Sequence, residues 1–285
     1  MADTQIVIAG YPKSGNTWLT RLVAELIGCP VAGFWREPDN PEIAMEGLER
    51  VSPYTCYKSH HGYSTLERDS RSYPMRYLYL VRDPRDIAVS GANFFMLGRP
   101  YLWWLKQGLW RLTHRYQHYL CVERWLRHSP LPESLYRDGP KRRLARMVHT
   151  LIHGDRRTNF WCVNSWRHQV QPFLDHGCFI VRYEDLLEQP HRECDRILQY
   201  LGVERSPEAI ERAIAAQSFD NAKARFRQRQ DRRRDQFLRR GRSGQGQQLL
   251  SPAQLDALES AAAEPMVQLG YLGGGQPAHG RRVSA

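Results

Sequence analysis

The chain lacks most of what would take it out of the class of ordinary folded proteins. No stretch approaches the roughly 18 uninterrupted apolar residues of a membrane span, and the N-terminus shows no basic, then apolar, then small-residue pattern of a secretory leader. Six cysteines (Cys29, Cys56, Cys121, Cys162, Cys178, Cys194) are scattered, without a C-x-x-C pair or a Cys/His group at zinc spacing. That distribution predicts reduced thiols in a cytoplasmic protein and no bound metal. There is no internal repeat and no collagen-like or fibrous bias. Acidic residues are also scarce: 30 Asp and Glu face 41 Lys and Arg in 285 residues, a net charge of +11. What is present in quantity, 41% hydrophobic and 11% aromatic residues, suffices for a real core in one large domain or two small ones.

The positive charge is unevenly placed. From Phe219 to Arg242 there are ten basic and three acidic residues, so this segment carries seven of the eleven net charges. Such a run suits nucleic acid, an anionic surface or a pocket for a small polyanion, and charge alone does not choose among them.

Short apolar runs alternate with helical periods. Thr4 to Ala9 (TQIVIA) predicts a strand, followed by a helix over Thr17 to Ile27 with Leu19, Leu22, Val23, Leu26 and Ile27 on one side. Arg76 to Val81 (RYLYLV) predicts a second buried strand, with Pro84 opening a helix over Arg85 to Phe95. Cys178 to Val181 (CFIV) predicts a third strand, again followed by helical sequence. This rhythm implies an α/β fold: a single domain over residues 1–272, with a central, mainly parallel sheet flanked by helices. Two segments stand apart. Residues 97–157 read as a helical insertion rich in Trp and Tyr, and residues 220–246 as a basic loop. Ser251 caps a final helix to about Gln268, and residues 273–285 form a Gly/Pro-containing tail.

Gly10 to Thr17 (GYPKSGNT) joins the first strand to the first helix. Backbone N–H groups at such a junction favour an anion. The segment differs from a nucleotide P-loop, G-x-x-x-x-G-K-[ST], because Asn16 takes the lysine position and Lys13 lies inside the loop. A P-loop-type kinase or nucleotide-binding protein is therefore an alternative with a misplaced lysine, and a basic polyanion- or nucleic-acid-binding module rests on the arginine run alone.

The segment Tyr11 to Trp18 (YPKSGNTW) resembles the 5′-phosphosulfate loop of the sulfotransferases that use 3′-phosphoadenosine 5′-phosphosulfate (PAPS), with Asn16 where that family usually has Thr. Tyr79 to Ser90 (YLVRDPRDIAVS) is similar to the family's 3′-phosphate segment, and a guanidinium from Arg82 with a hydroxyl from Ser90 can converge on one phosphate. Further matches follow in order: Tyr183-Glu184-Asp185, Ser218-Phe219, and Phe237 to Gly244 (FLRRGRSG). The resemblance implies a P-loop-like phosphosulfate-binding loop, PAPS as donor and its desulfonated form PAP as product. It places the donor on Lys13, Ser14, Gly15, Asn16, Thr17, Trp18, Arg82, Ser90, Tyr183, Ser218, Phe219, Arg239, Arg240 and Gly241. Trp18 and Phe219 would cover the two faces of the adenine. Arg replaces the family's Lys at position 240, Gln245-Gly246 replaces its Asp-Trp, and the K-T-V-x-x-x-E dimer motif of the animal enzymes is not found.

Tyr57 to His61 (YKSHH) resembles the family's K-x-H, which makes Lys58 the transition-state lysine and His60 the general base, with Lys13 the third catalytic residue. His61 is the rival base, since alternation along an extended segment lets only one of the pair face the site. A sulfuryl group carries a single charge, so no metal is expected. The acceptor is expected to be a hydroxyl on a small molecule or amphiphile: an alcohol, phenol or glycoside. The aromatic insertion is compatible with a packed cap, an acceptor pocket or peripheral membrane contact, and no nucleic-acid partner is expected. Oligomeric state is not readable.

Overall fold

In the computed structural model, residues 4–38, 40, 43–95, 137–218, 221 and 243–273 are described, with isolated positions 108, 111, 112, 125 and 132. Five strands form one all-parallel sheet in the order β2-β3-β1-β4-β5: β1 (Thr4–Gly10), β2 (Val31–Phe34), β3 (Tyr54–Lys58), β4 (Met75–Val81) and β5 (Ile180–Arg182). Parallel strands buried on both faces need apolar residues at successive positions. β1 supplies them, with Ile6 and Ile8 on one face and Val7 and Ala9 on the other, all fully buried.

Each face has its own helical layer. Ile6, Ile8, Leu78, Leu80 and Val181 pack with α1 (Asn16–Ile27), α7 (Pro190–Leu201) and α8 (Pro207–Ala216). Val7, Ala9, Tyr79, Val81 and Ile180 pack with α3 (Pro84–Phe94), α4 (Pro140–His153), α5 (Trp166–Asp175), α10 (Pro252–Ala261) and α11 (Ala263–Gln268). Shorter helices are α2 (Tyr63–Ser70), α6 (Tyr183–Glu188) and α9 (Gln245–Leu249). Among the described residues no helix is long and apolar enough to cross a membrane.

Several boundaries differ from the sequence expectation for identifiable reasons. The third expected strand begins at Ile180 rather than Cys178, because the Cys178 N–H donates to the Phe173 carbonyl and finishes the turn that ends α5. The expected single helix after Ser251 is two. Pro265 has no N–H, and its ring meets the carbonyl four residues back, so the helix breaks after Ala261 and resumes at Ala263. The Ser251 cap holds as expected, as a reciprocal box with Gln254. From the 97–157 stretch, α4 is described, and its Met147, Val148 and Leu151 enter the main core beside α3. Tyr101, Trp103, Trp104, Trp110, Tyr116 and Tyr119 lie outside the described residues, as do Phe219, the run Arg225 to Arg234, and Arg239, Arg240 and Gly241.

The far end of the basic segment is anchored on α3. Both carboxylate oxygens of buried Asp86 accept backbone N–H groups, from Gly244 at 2.8 Å and Gly246 at 2.7 Å. Gly246 sits so close to α3 that a Cβ there would overlap the Arg85 backbone. Gly246→Ala is therefore expected to cost about 1–3 kcal/mol through overpacking, read as a lower urea midpoint at unchanged slope.

Candidate active site

The sheet order places a topological switch beside β1: the chain leaves it toward β2 and β3 on one side and returns to β4 on the other. Ligands of open parallel sheets bind at the carboxyl ends of strands at such a point. The sequence-predicted site residues within the described chain sit on those ends and the helices that follow, except Ser218, which lies just past α8.

After Gly10, residues Tyr11 to Gly15 form the loop into α1. Lys13 (φ 75°) and Gly15 (φ 108°) both adopt left-handed backbone. The first turn of α1 has no capping side chain and no acidic residue, so its N–H groups face an environment suited to an anion. Ser14 is fully buried, and its Oγ has no hydrogen-bond partner among the described residues. Lys13 Nζ lies 3.5 Å from the Phe94 ring centroid. Thr17 is half-buried in the first turn of α1, and Ser90 is half-buried on α3.

Arg82, just past β4, closes one side of this loop. Its guanidinium stands 4.2 Å from the Tyr183 ring centroid, and Nη1 donates to the Lys13 carbonyl at 3.4 Å. Trp18 meets Tyr183 edge-on at 5.5 Å and donates Nε1–H to the Gln217 carbonyl at 2.9 Å, which brings the Ser218 end of the chain to the same wall. The charge cluster at the start of α3 thus divides. Arg85 is held by Asp83, Glu259 and the Tyr271 carbonyl and is structural. Burial raises the Glu184 carboxyl above its ordinary range, against hydrogen bonds from the Asp83 N–H and the Tyr271 hydroxyl.

Lys58 ends β3, buried, with Nζ 5.5 Å from the Phe34 ring. Two residues on, His60 Nδ1 lies 2.6 Å from the Gly10 carbonyl oxygen. A carbonyl only accepts, so His60 Nδ1 carries a proton. The His60 carbonyl is held by Gln169 at 2.9 Å. Phe34 stacks on Trp161 at 5.1 Å, and both rings flank His60, at 5.5 and 5.9 Å.

The alternation argument for choosing between His60 and His61 does not apply, because β3 stops at Lys58; both rings reach Trp161. Burial, reinforced by Arg36, lowers the His61 pKa to about 4. Sequence reasoning missed Phe34, Trp161 and Gln169. The only signal was composition, Gly-Phe-Trp at 33–35 and Asn-Phe-Trp at 159–161, with nothing to pair the two. Among the described residues no group of three or more His, Cys, Asp or Glu is arranged to hold a metal ion.

A five-stranded parallel sheet with a lysine-bearing loop at its switch point and a buried histidine beside it is the scaffold of an α/β group-transfer enzyme. Residues 3–270 match the sulfotransferase domain family, and the chain belongs to it. Sulfotransferase 1A1 of Rattus norvegicus is 21% identical over 292 residues, covering 93% of this chain and 86% of that protein. Sulfotransferase 2A1 of Homo sapiens is 21% identical, covering 94% and 86%. Among solved structures, the fold is similar to mouse sulfotransferase SULT7A1 complexed with PAP (TM-score 0.61, 18% identity, 94% and 85% covered). It is also similar to retinol dehydratase in complex with androsterone and inactive cofactor PAP (TM-score 0.55, 14% identity, 92% and 80% covered).

The depressed His61 pKa has a consequence for stability. The unfolded chain binds a proton at this residue from about pH 6.5 downward, whereas the folded one resists until about pH 4. His61 therefore destabilises the fold as pH falls through that window. The urea midpoint is expected to drop over this range, and to drop less in His61→Phe.

Proposed function

We propose that the protein transfers a sulfuryl group from PAPS to the hydroxyl of a small-molecule or amphiphilic acceptor, with His60 as general base. The observation that carries this reading is the placement of His60 against the end of β1, where the Lys13-bearing loop begins. Fit to the donor is supported by the buried Ser14 hydroxyl, which has no partner among the described residues, the uncapped start of α1 and the Arg82 guanidinium on Tyr183. Two structural neighbours were crystallised with PAP, which agrees with it.

The loop from Lys13 to Thr17 would hold the 5′-phosphosulfate, Arg82 and Ser90 the 3′-phosphate, and Trp18, Tyr183 and Ser218 the adenine side. Phe219, Arg239, Arg240 and Gly241 complete the proposed set from outside the described residues. His60 Nε2 takes the acceptor hydroxyl proton as its oxygen bonds to sulfur. Lys58 neutralises the sulfuryl oxygens, and Lys13 meets the charge that grows on the bridging oxygen as the bond to the 5′-phosphate breaks. The proton thus ends on His60, and PAP departs. Most of the rate enhancement in this reading is positioning and electrostatics, and no metal enters it. The Phe34–Trp161 pair beside His60 favours an acceptor with a flat apolar body. The scattered cysteines of the sequence favour a cytoplasmic setting.

Labelled PAPS offered with phenols, sterols, glycosides and lipids identifies the acceptor. With that acceptor, His60→Ala is expected to lower kcat by about 10²- to 10⁴-fold while PAP affinity by calorimetry is retained. Transfer at near full rate in this variant would sink the base assignment. A chelator is expected to leave the rate unchanged, and rescue by a divalent ion after its loss would overturn the metal-free mechanism.

A further inference from the structure

Asn16 stands where the family usually carries Thr, and its side chain is engaged away from a donor role. The residue is 3% exposed. Its amide nitrogen lies 3.1 Å from the Gly10 carbonyl oxygen and 3.0 Å from the Ser59 carbonyl oxygen. Only an N–H donor can face two carbonyl oxygens, so the amide nitrogen belongs there and both its hydrogens are committed. Gly10 is the last residue of β1, and its carbonyl is also the acceptor of His60 Nδ1–H. Ser59 immediately precedes His60. One side chain thus ties together the carbonyl to which His60 donates and the main chain that carries His60. A threonine has a single O–H and cannot bridge two carbonyls.

We infer that Asn16 is a positioning residue for the base, holding His60 against the end of β1, and that its side chain is not a ligand of the donor phosphate. This rests on the reading of His60 as base. The network explains an otherwise awkward feature: Asn16 Oδ1 is buried with no partner among the described residues, a cost accepted because the amide nitrogen is needed at the other end.

Full-length Asn16→Ala and Asn16→Thr, compared with His60→Ala, separate the outcomes. Asn16→Ala is expected to lower kcat by about ten- to a hundredfold through a displaced base. The KM for PAPS and the Kd for PAP should stay within about threefold of the parent, the split that marks a role in the transition state and not in donor binding. Asn16→Thr, which keeps one donor and the family's own residue, should fall between parent and Asn16→Ala, and it serves as the test if Asn16→Ala does not fold. A rise of about tenfold or more in KM and Kd with kcat retained would overturn the inference and make Asn16 a donor ligand. No change in any of the three would also overturn it. If His60→Ala keeps full activity, the base assignment itself fails; if it is inactive and the Asn16 variants affect donor affinity alone, only the positioning role fails.

Discussion

The Gly10 carbonyl accepts hydrogen bonds from His60 Nδ1 and from Asn16 Nδ2, and the geometry of the whole site follows from where that oxygen lies. Its position is a matter of strand register. Ile8 pairs with Lys58, and Ser59 N–H donates to the Ile8 carbonyl, so continuing two residues along each chain brings Gly10 beside His60. A slip of one residue would carry Ser59 or His61 to that oxygen and turn every side chain of β3 to the opposite face. Burial forbids the slip, since Ile6, Ile8 and Cys56 are fully enclosed on the α1 side of the sheet. A side chain at position 10 would press on the Leu80 carbonyl and on Asn16, so the close approach of β1, β4 and α1 needs glycine there. Core packing and the alignment of His60 are thus one constraint.

A second consequence of this layout is how charge is distributed. Lys58 ends β3 and Arg82 follows β4, so two cationic side chains lie at the carboxyl edge of the sheet. Carboxylates near it are occupied elsewhere. Asp86 spends both oxygens on the Gly244 and Gly246 N–H groups and stands 3.9 Å from Arg82, while Asp83 and Glu259 engage Arg85. Four neighbouring charged residues that look alike in sequence therefore separate: Arg82 faces the loop, Arg85 and Asp86 hold C-terminal segments to α3, and Asp83 caps α3 and pairs with Arg85. Only the backbone partners of Asp86 and Arg85, more than a hundred residues away, decide which is which.

That distance dependence is also what limited the reading from sequence. β1, α1, β4 and α3 were legible because their signals are local: a buried parallel strand is a continuous apolar run, and Pro84 after Asp83 marks a helix start, with the Asp83 side chain accepting from Arg85 N–H as the cap. The loop Gly10 to Thr17 was legible for the same reason. β2 was not, being only four residues long and supported by pairing with β3. Phe34 and Trp161 meet through tertiary packing that no spacing rule encodes. The pairing of Asn16 with Ser59 was invisible as well: as a departure from the family pattern Asn16 looked like a modest exchange of one polar residue for another, and its count of two donors matters only once two carbonyls converge on it.

Lys13 brings these strands of argument together. A non-glycine residue in left-handed backbone costs about 1–2 kcal/mol, and Lys13 pays it at φ 75° in the middle of the loop. The surroundings impose it: Tyr11 is fully buried and its carbonyl accepts from Ser14 N–H, while Arg82 holds the Lys13 carbonyl. Glycine at this position would relieve the strain and keep the turn. The strain persists with a cationic side chain at the one loop position flanked by the Arg82 contact and by Phe94, over whose ring the ammonium lies. Strain of this kind survives where the rest of the fold over-determines it. The conformation that makes position 13 unfavourable for lysine as backbone is thus the one that sets a lysine at the mouth of the sheet, on the same β1 terminus that orients His60.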